Sequence, residues 1–240
     1  MMKKLKILIA NDDGIRSEGI ARLARAASEF GDVWVAAPEH QCSGMSVRLT
    51  IAGMPEMAVY RYDFPVPVQA AWSVDGTPAD CVKAAIKALL PVRLDVVLTG
   101  INRGYNAGFD IAYSGTVGAA LEAVMNGVPA IAFSARENGN PSAAEAYLPV
   151  VLEALLARPA EPGRVWNVNF PDCAAAQCKG VLYGRTPAAC SFYDNDYVRT
   201  GDALSIRVTN PGPDRCKEGS DIHAVLHGYV SVGAIRSPLF

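Results

Sequence analysis

Hydrophobic and polar positions along the chain fall into two regimes. From Leu5 to Ala10 the sequence is almost continuously apolar, the pattern of a strand buried on both faces. After Asn11-Asp12-Asp13-Gly14, residues Ile20, Leu23, Ala24 and Ala27 recur at i, i+3, i+4 and i+7, which predicts a helix stripe. Val33 to Ala37 predicts a second buried strand, stopped by Pro38. Pro78 stands where a helix can start, and Val82, Ala85, Ile86 and Leu89 continue its apolar face. Asp95 to Leu98 predicts another strand, followed by a Gly-rich loop and a helix through Leu121 and Val124. Val128 to Phe133 predicts a further strand, and Ala143 to Leu156 a further helix. Strand and helix alternating over short connections predict an α/β fold, a mostly parallel sheet with helices on both faces.

From Val165 onward the pattern changes. Short alternating segments (165–170, 181–183, 204–208 and 229–232) are broken by Pro, Gly and Asn, and no helix is expected among them. This predicts a β-rich extension of residues 165–240 on a core of residues 1–164, within a single domain of residues 1–240. Two placements stay open, an extended hairpin used in oligomerisation or a completion of the same sheet.

Composition narrows the function classes. The 240 residues are 50% hydrophobic and 19% charged, enough apolar material to exclude disorder as the main state. With 22 Lys+Arg against 24 Asp+Glu, the formal charge of -2 leaves no basic footprint for a nucleic-acid duplex or a membrane surface. No apolar run approaches the roughly 18 residues that span a bilayer. Lys3, Lys4 and Lys6 precede an apolar stretch, but it is too short for a signal peptide, so a cytoplasmic protein is expected. The six cysteines contain no C-x-x-C pair and read as scattered reduced thiols rather than disulfides or zinc ligands.

In an open parallel sheet, ligands bind outside the carboxyl ends of the strands. There the first strand delivers Asn11-Asp12-Asp13-Gly14, the second Pro38 and then Ser43-Gly44, and the strand ending at Leu98 delivers Thr99-Gly100-Ile101-Asn102-Arg103-Gly104. One aspartate would read as a turn or helix cap. Two in succession repel unless a cation lies between them, which makes Asp12 and Asp13 candidate metal ligands. Ser43 and Asn102 are ordinary loop residues on spacing alone. With them, every ligand would be oxygen, a set suited to Mg²⁺ or Mn²⁺ rather than zinc.

Tyr113-Ser114-Gly115-Thr116-Val117-Gly118 directly precedes a helix. Amides at a helix N-terminus, two hydroxyls and a glycine can make an anion pocket; plain capping by Ser114 or Thr116 is the other reading. Beside a carboxylate metal site the phosphate pocket gains weight. His40, His223 and His227 lack a ligand pattern in a β-like neighbourhood and read as structural or exposed, and Trp72 and Trp166 as core. Asp80, in Gly76-Thr77-Pro78-Ala79-Asp80-Cys81, is placed to favour a helix dipole.

Several ordered motifs together resemble the SurE (survival protein E) family. They are Asn11-Asp12-Asp13-Gly14, the turn from Ala37-Pro38 to Ser43-Gly44, Gly76 to Val82, Gly100 to Gly108 with Asp110, Tyr113 to Val117, Asn167-Val168-Asn169-Phe170-Pro171 and Gly228-Tyr229-Val230-Ser231. The resemblance runs from residue 5 to about residue 232. It implies a Rossmann-like doubly wound core with a C-terminal hairpin that builds homodimers or homotetramers. It also implies a metal-dependent phosphatase of the acid-phosphatase type. Its substrates would be nucleoside 5′- and 3′-monophosphates, with short polyphosphate in some members.

On the same resemblance, one divalent cation per subunit (Mg²⁺ or Mn²⁺, with Co²⁺ as an alternative) is held by Asp12, Asp13, Ser43 and Asn102. Asp12 or Asp13 orients or deprotonates the attacking water, and Asn106, Ser114, Gly115 and Thr116 hold the phosphate. The rival readings are a non-catalytic nucleotide-binding protein or a phospho-signalling domain on a flavodoxin-like fold. A signalling receiver needs an acceptor aspartate where this chain has Thr99-Gly100, and a dinucleotide oxidoreductase needs a G-x-G-x-x-G that is absent.

Overall fold

The two faces of the first strand, β1 (Leu5–Ala10), divide the molecule into two layers. Ile7 and Ile9 join one apolar cluster while Leu8 and Ala10 join another, and all four are completely buried. A strand covered on both sides has no polar alternation, which is why it reads as an unbroken apolar run. The computed structural model describes residues 4–159, 161–210 and 216–236; Lys3 of the N-terminal basic cluster lies outside them.

Helices α1 (Glu18–Ala27) and α4 (Ser142–Leu156) cover the Ile7 and Ile9 face. Ser17 caps α1, and its buried residues are Ile20, Leu23, Ala24 and Ala27, the stripe expected from spacing. Helices α2 (Pro78–Ala84) and α3 (Gly115–Met125) cover the opposite face through Val82, Val117 and Ala120. The helix from Pro78 ends earlier than its apolar face: residues Ala85–Leu89 widen into a π turn, closed by Leu90 N donating to the carbonyl of Ala85.

The remaining strands of the first half are β2 (Gly31–Pro38), β3 (Val59–Arg61), β4 (Ala70–Val74), β5 (Val96–Arg103) and β6 (Ala130–Ala135). They are followed by β7 (Arg164–Phe170), β8 (Val181–Arg185), β9 (Asp194–Thr200), β10 (Ala203–Thr209), the short helix α5 (Asp221–Leu226) and β11 (Val230–Arg236). Nine of these strands form one sheet in the order β3-β4-β2-β1-β5-β6-β7-β11-β8. From β4 to β7 the neighbours are parallel, and β3 and β11 run antiparallel to β4 and β7. The chain winds outward from β1 to β4 in one direction and from β5 to β7 in the other, so the two halves meet between β1 and β5. That junction is the switch point at which open α/β sheets bind ligands.

The structure differs from the sequence expectations in three places. Strand β5 does not yield to a loop after Leu98 but continues to Arg103, with a register shift against β6 between Thr99 and Asn102. Gly100 there (φ +119°) marks close strand contact rather than a turn, since a Cβ would stand 2.2 Å from the carbonyl oxygen of Phe133. The C-terminal region does contain a helix, α5, capped by Ser220 and packed on β11. At six residues it is too short for a periodic signal. Strands β3 and β4 also lie outside the segments that the sequence pattern predicts, the first being three exposed residues. In the extension, β7, β11 and β8 enlarge the main sheet, whereas β9 and β10 pair only with each other.

Candidate active site

The turn after β1 is organised by Asn11. Its buried side-chain amide donates to the carbonyl of Gly14 (2.9 Å) and to Ser17 Oγ (2.8 Å), tying the aspartate pair to the start of α1. Asp12 and Asp13 follow, both at least nine-tenths buried. Asp13 accepts from the backbone amide of Arg103 (2.9 Å) and from its Nε (3.4 Å), which joins the ends of β1 and β5 directly. Asp12 is held from the other side: Oδ2 accepts from the Thr116 amide (3.1 Å) and Oδ1 from the Thr116 hydroxyl (2.5 Å), in the first turn of α3. Burial pushes the Asp12 carboxyl up from 3.8 to about 6; the charge of Asp13 adds to this, and the bonds from Thr116 oppose it.

Two more expected ligands lie on adjoining segments. Asn102 is buried on β5 with its Nδ2 donating to the carbonyl of Gly104 (2.9 Å), so its side-chain oxygen is the end left to act as a ligand. Ser43 is exposed and accepts from Gln41 Nε2 (3.0 Å). Its loop is anchored beside the aspartates because Cys42 N donates to the Asp12 carbonyl (2.7 Å).

The phosphate candidates divide. Ser114 caps α3, its hydroxyl accepting from Val117 N (3.0 Å), and Thr116 is committed to Asp12. Gly115 permits this approach: a Cβ there would lie 2.9 Å from Asp12 Cβ and 3.0 Å from Oδ2. Its amide is the first-turn donor that none of these bonds uses. Asn106 is buried in a polar cluster of its own. Its side chain donates to Ser134 (2.8 Å), its amide to Asn169 (2.9 Å), and its carbonyl accepts from Asn167 (2.8 Å) and Asn169 (3.0 Å).

Three contributors were not visible as such in the sequence. Arg103 was only part of a motif, yet its guanidinium stands half-exposed over Asp13. Asp80 does more than favour a dipole. It completes a capping box with Thr77 and accepts from both the amide (2.9 Å) and hydroxyl (2.8 Å) of Thr50, while Thr77 donates to the carbonyl of Arg48 (2.6 Å). The segment after Ser43 is thereby pinned to α2. Asn11 is the third, a turn residue in sequence and the organiser of that turn in the fold.

Asp13, Asn102 and Arg103 form one wall of a cleft of about 770 Å³ whose other walls include Arg16, Arg22 and Arg136. That volume lies in the usual range for small-molecule sites, and its arginines give it an attraction for anions. Two of the histidines are at α5: the rings of His223 and His227 stack at 3.9 Å, with His227 Nδ1 2.8 Å from the carbonyl of His223. Trp72 is buried in the α2–α3 cluster, whereas half-buried Trp166 lies beneath the guanidinium of Arg164 at 4.0 Å. No helix among the described residues is long and apolar enough to cross a membrane.

Comparison with known proteins places this geometry in context. The family model for survival protein SurE matches residues 7–191. A protein of Protochlamydia amoebophila (strain UWE25) described as 5′-nucleotidase SurE is 39% identical over 183 residues, covering 75% of this chain and 69% of its own length. The crystal structure of the SurE protein from Aquifex aeolicus superposes with a TM-score of 0.82 at 34% identity, over 96% of this chain and 93% of that one.

Proposed function

Because the chain belongs to the SurE family, we propose that it is a divalent-metal-dependent phosphatase. Its substrates on this reading are nucleoside 5′- and 3′-monophosphates, with short polyphosphate as a further one. The observation that carries the reading is the buried Asp12–Asp13 pair at the switch point, beside a cleft of nucleotide size.

The donor set suits one hard cation, Mg²⁺ or Mn²⁺, with Co²⁺ as an alternative. Among the described residues no three His, Cys, Asp or Glu side chains are placed to hold a metal ion by themselves. An ion here would therefore rest on the carboxylates of Asp12 and Asp13, the Ser43 hydroxyl and the Asn102 oxygen, a set that zinc disfavours. When bound, such an ion supplies Lewis acidity toward a phosphoryl oxygen and acidifies water. Either Asp12 or Asp13 would orient the attacking water or take its proton at a carboxylate oxygen. Arg103 fixes Asp13 and lines the cleft. On this reading the Gly115 amide, with Ser114 and Thr116 shaping the turn around it, donates to the phosphate, and Asn106 is a further phosphate ligand.

Assembly into a homodimer or homotetramer is part of this reading. Tyr197 on β9 pairs with Ile206 on β10, and Leu204, Ile206 and Val208 alternate along that same face; all four are more than half exposed. A two-stranded ribbon is marginal by itself, and an apolar face on it calls for cover. A cytoplasmic location is part of the same reading, resting on six cysteines without a C-x-x-C pair.

Phosphate release from adenosine 5′-monophosphate, measured with Mn²⁺ and again in EDTA, tests the proposal. Metal-dependent turnover is expected. Nucleotide binding without turnover under either condition would make the protein a binder and not an enzyme.

A further inference from the structure

The six cysteines were expected to be scattered, but two of them meet. Cys190 and Cys216 are 26 residues apart in sequence, with their sulfurs 3.5 Å apart. Cys216 is buried in a small satellite core with Tyr105, Phe192 and Ile222, and half-buried Cys190 packs on its edge. Between them in sequence lies the whole β9–β10 hairpin. We propose that Cys190 and Cys216 are a reversible oxidation site, converted by a peroxide or a low-molecular-weight disulfide into an intrachain disulfide that clamps the root of the hairpin.

The two thiols have different parts in this chemistry. Burial, together with the hydrogen bond to Cys190, pushes the Cys216 thiol up to about 12, so its proton stays in place. Cys190, nearer solvent at the edge of the cluster, is the sulfur that an oxidant reaches first and the one that attacks it. With a peroxide, the Cys190 thiolate breaks the O–O bond and becomes a sulfenic acid as hydroxide or alkoxide leaves. The Cys216 sulfur then displaces the sulfenic oxygen, which departs with the Cys216 proton as water while the S–S bond forms. The two electrons lost by the thiols end on the peroxide oxygens. With a small disulfide, Cys190 first forms a mixed disulfide and releases one thiolate. Cys216 then attacks the Cys190 sulfur, giving up its proton and releasing the second thiol. Either route closes the present gap to a bond of about 2.05 Å.

The clamp would act on a segment already sewn to the site. The carbonyl of Cys190 accepts from Phe109 N (3.0 Å), and Asp110 accepts from the amides of Phe192 (2.7 Å) and Tyr193 (3.1 Å). Tyr193 completes the attachment, its hydroxyl accepting from Tyr105 N (3.0 Å). From the Cys216 side, Asp221 accepts from Gly108 N and Ala188 N, both at 2.9 Å. The same loop, residues 105–110, is therefore held from both ends of the prospective cross-link. A covalent tie there restricts the unfolded chain as well as the hairpin root, so it should stabilise the fold.

The test uses the reduced full-length chain, treated with hydrogen peroxide or oxidised glutathione, alkylated, digested and analysed by mass spectrometry. The expected product is a Cys190–Cys216 peptide lacking two hydrogens, with the other four cysteines alkylated and full reversal by dithiothreitol. The thermal midpoint of the oxidised chain should rise by several degrees over the reduced one, and C190S and C216S should show neither cross-link nor rise. Should C216S fail to fold, C190S at the edge of the cluster carries the control. Oxidation that joins other cysteines, stops at an unpaired acid on Cys190, or links this pair only in denaturant overturns the proposal.

Discussion

Thr116 holds Asp12 through two donors at once, its amide to Oδ2 and its hydroxyl to Oδ1, across 104 residues of sequence. The positive end of α3 is thus aimed at the protein's own carboxylate, the one facing the proposed ion. Replacing the hydroxyl by a methyl in Thr116→Val keeps the amide bond and leaves Oδ1 without its partner. Stability should fall by about 1–2 kcal/mol. The acidic limb of the pH–rate profile should move to higher pH, because an interaction that lowers the Asp12 pKa is lost. An unchanged limb would separate Thr116 from the chemistry.

Asp12→Asn removes the charge but little volume. Turnover with Mn²⁺ should drop by on the order of 10³-fold or more, since the cation loses a charged ligand and the water its base. The metal-free fold should be as stable as before, or more so, because a buried charge has been removed. Wild-type turnover of this variant in EDTA would refute the assignment.

The raised Asp12 pKa sets a pH dependence whose sign follows from linkage. Between 3.8, the ordinary value, and about 6, the folded chain holds a proton that the unfolded chain has released. The contribution of this group to the stability of the metal-free protein is therefore greatest below about pH 4, declines as pH rises to 6, and is level above that. Asp110 and Asp221, also raised by burial, act in the same direction. A cation binds the ionised form, so the thermal shift produced by Mn²⁺ should be larger at pH 7 than at pH 5. Equal shifts at the two values would show that Asp12 is not a ligand.

Gly115→Ala should be neutral or stabilising on helix propensity alone, by up to about 1 kcal/mol. Here the added methyl meets Asp12 Cβ at 2.9 Å and the Cys42 carbonyl at 3.2 Å. Activity is expected to fall at least about tenfold while the thermal midpoint moves little. A variant of full activity would show that the helix start can recede from Asp12 without consequence.

The apolar hairpin face makes a prediction about assembly. Leu204→Asp combined with Ile206→Asp places two charges among Tyr197 and Val208 on a ribbon that contributes nothing to the main core. Light scattering should show a smaller assembly than the unmodified chain, with circular dichroism nearly unchanged. A monomeric unmodified protein would sink the oligomer.

Much of this molecule is legible one segment at a time. The stripe Ile20, Leu23, Ala24 and Ala27, the run from Leu5 to Ala10 and the helix opening at Pro78 are local patterns, and each is found where spacing predicts it. Helix α5 and strand β3 escaped because six and three residues carry too little periodicity. Gly100 misled because a glycine demanded by close strand contact looks the same as one demanded by a turn.

What the sequence determined by itself was therefore the alternation of strands and helices, the capping residues and the motifs that mark the family, all properties of neighbours along the chain. Tertiary structure alone decided which distant groups meet: Thr116 on Asp12, Arg103 on Asp13, Thr50 on Asp80, Cys216 beside Cys190. The physical reason is that local preference acts over a few residues. Which strand ends converge follows instead from burying both faces of one sheet at once, a condition that no single segment expresses.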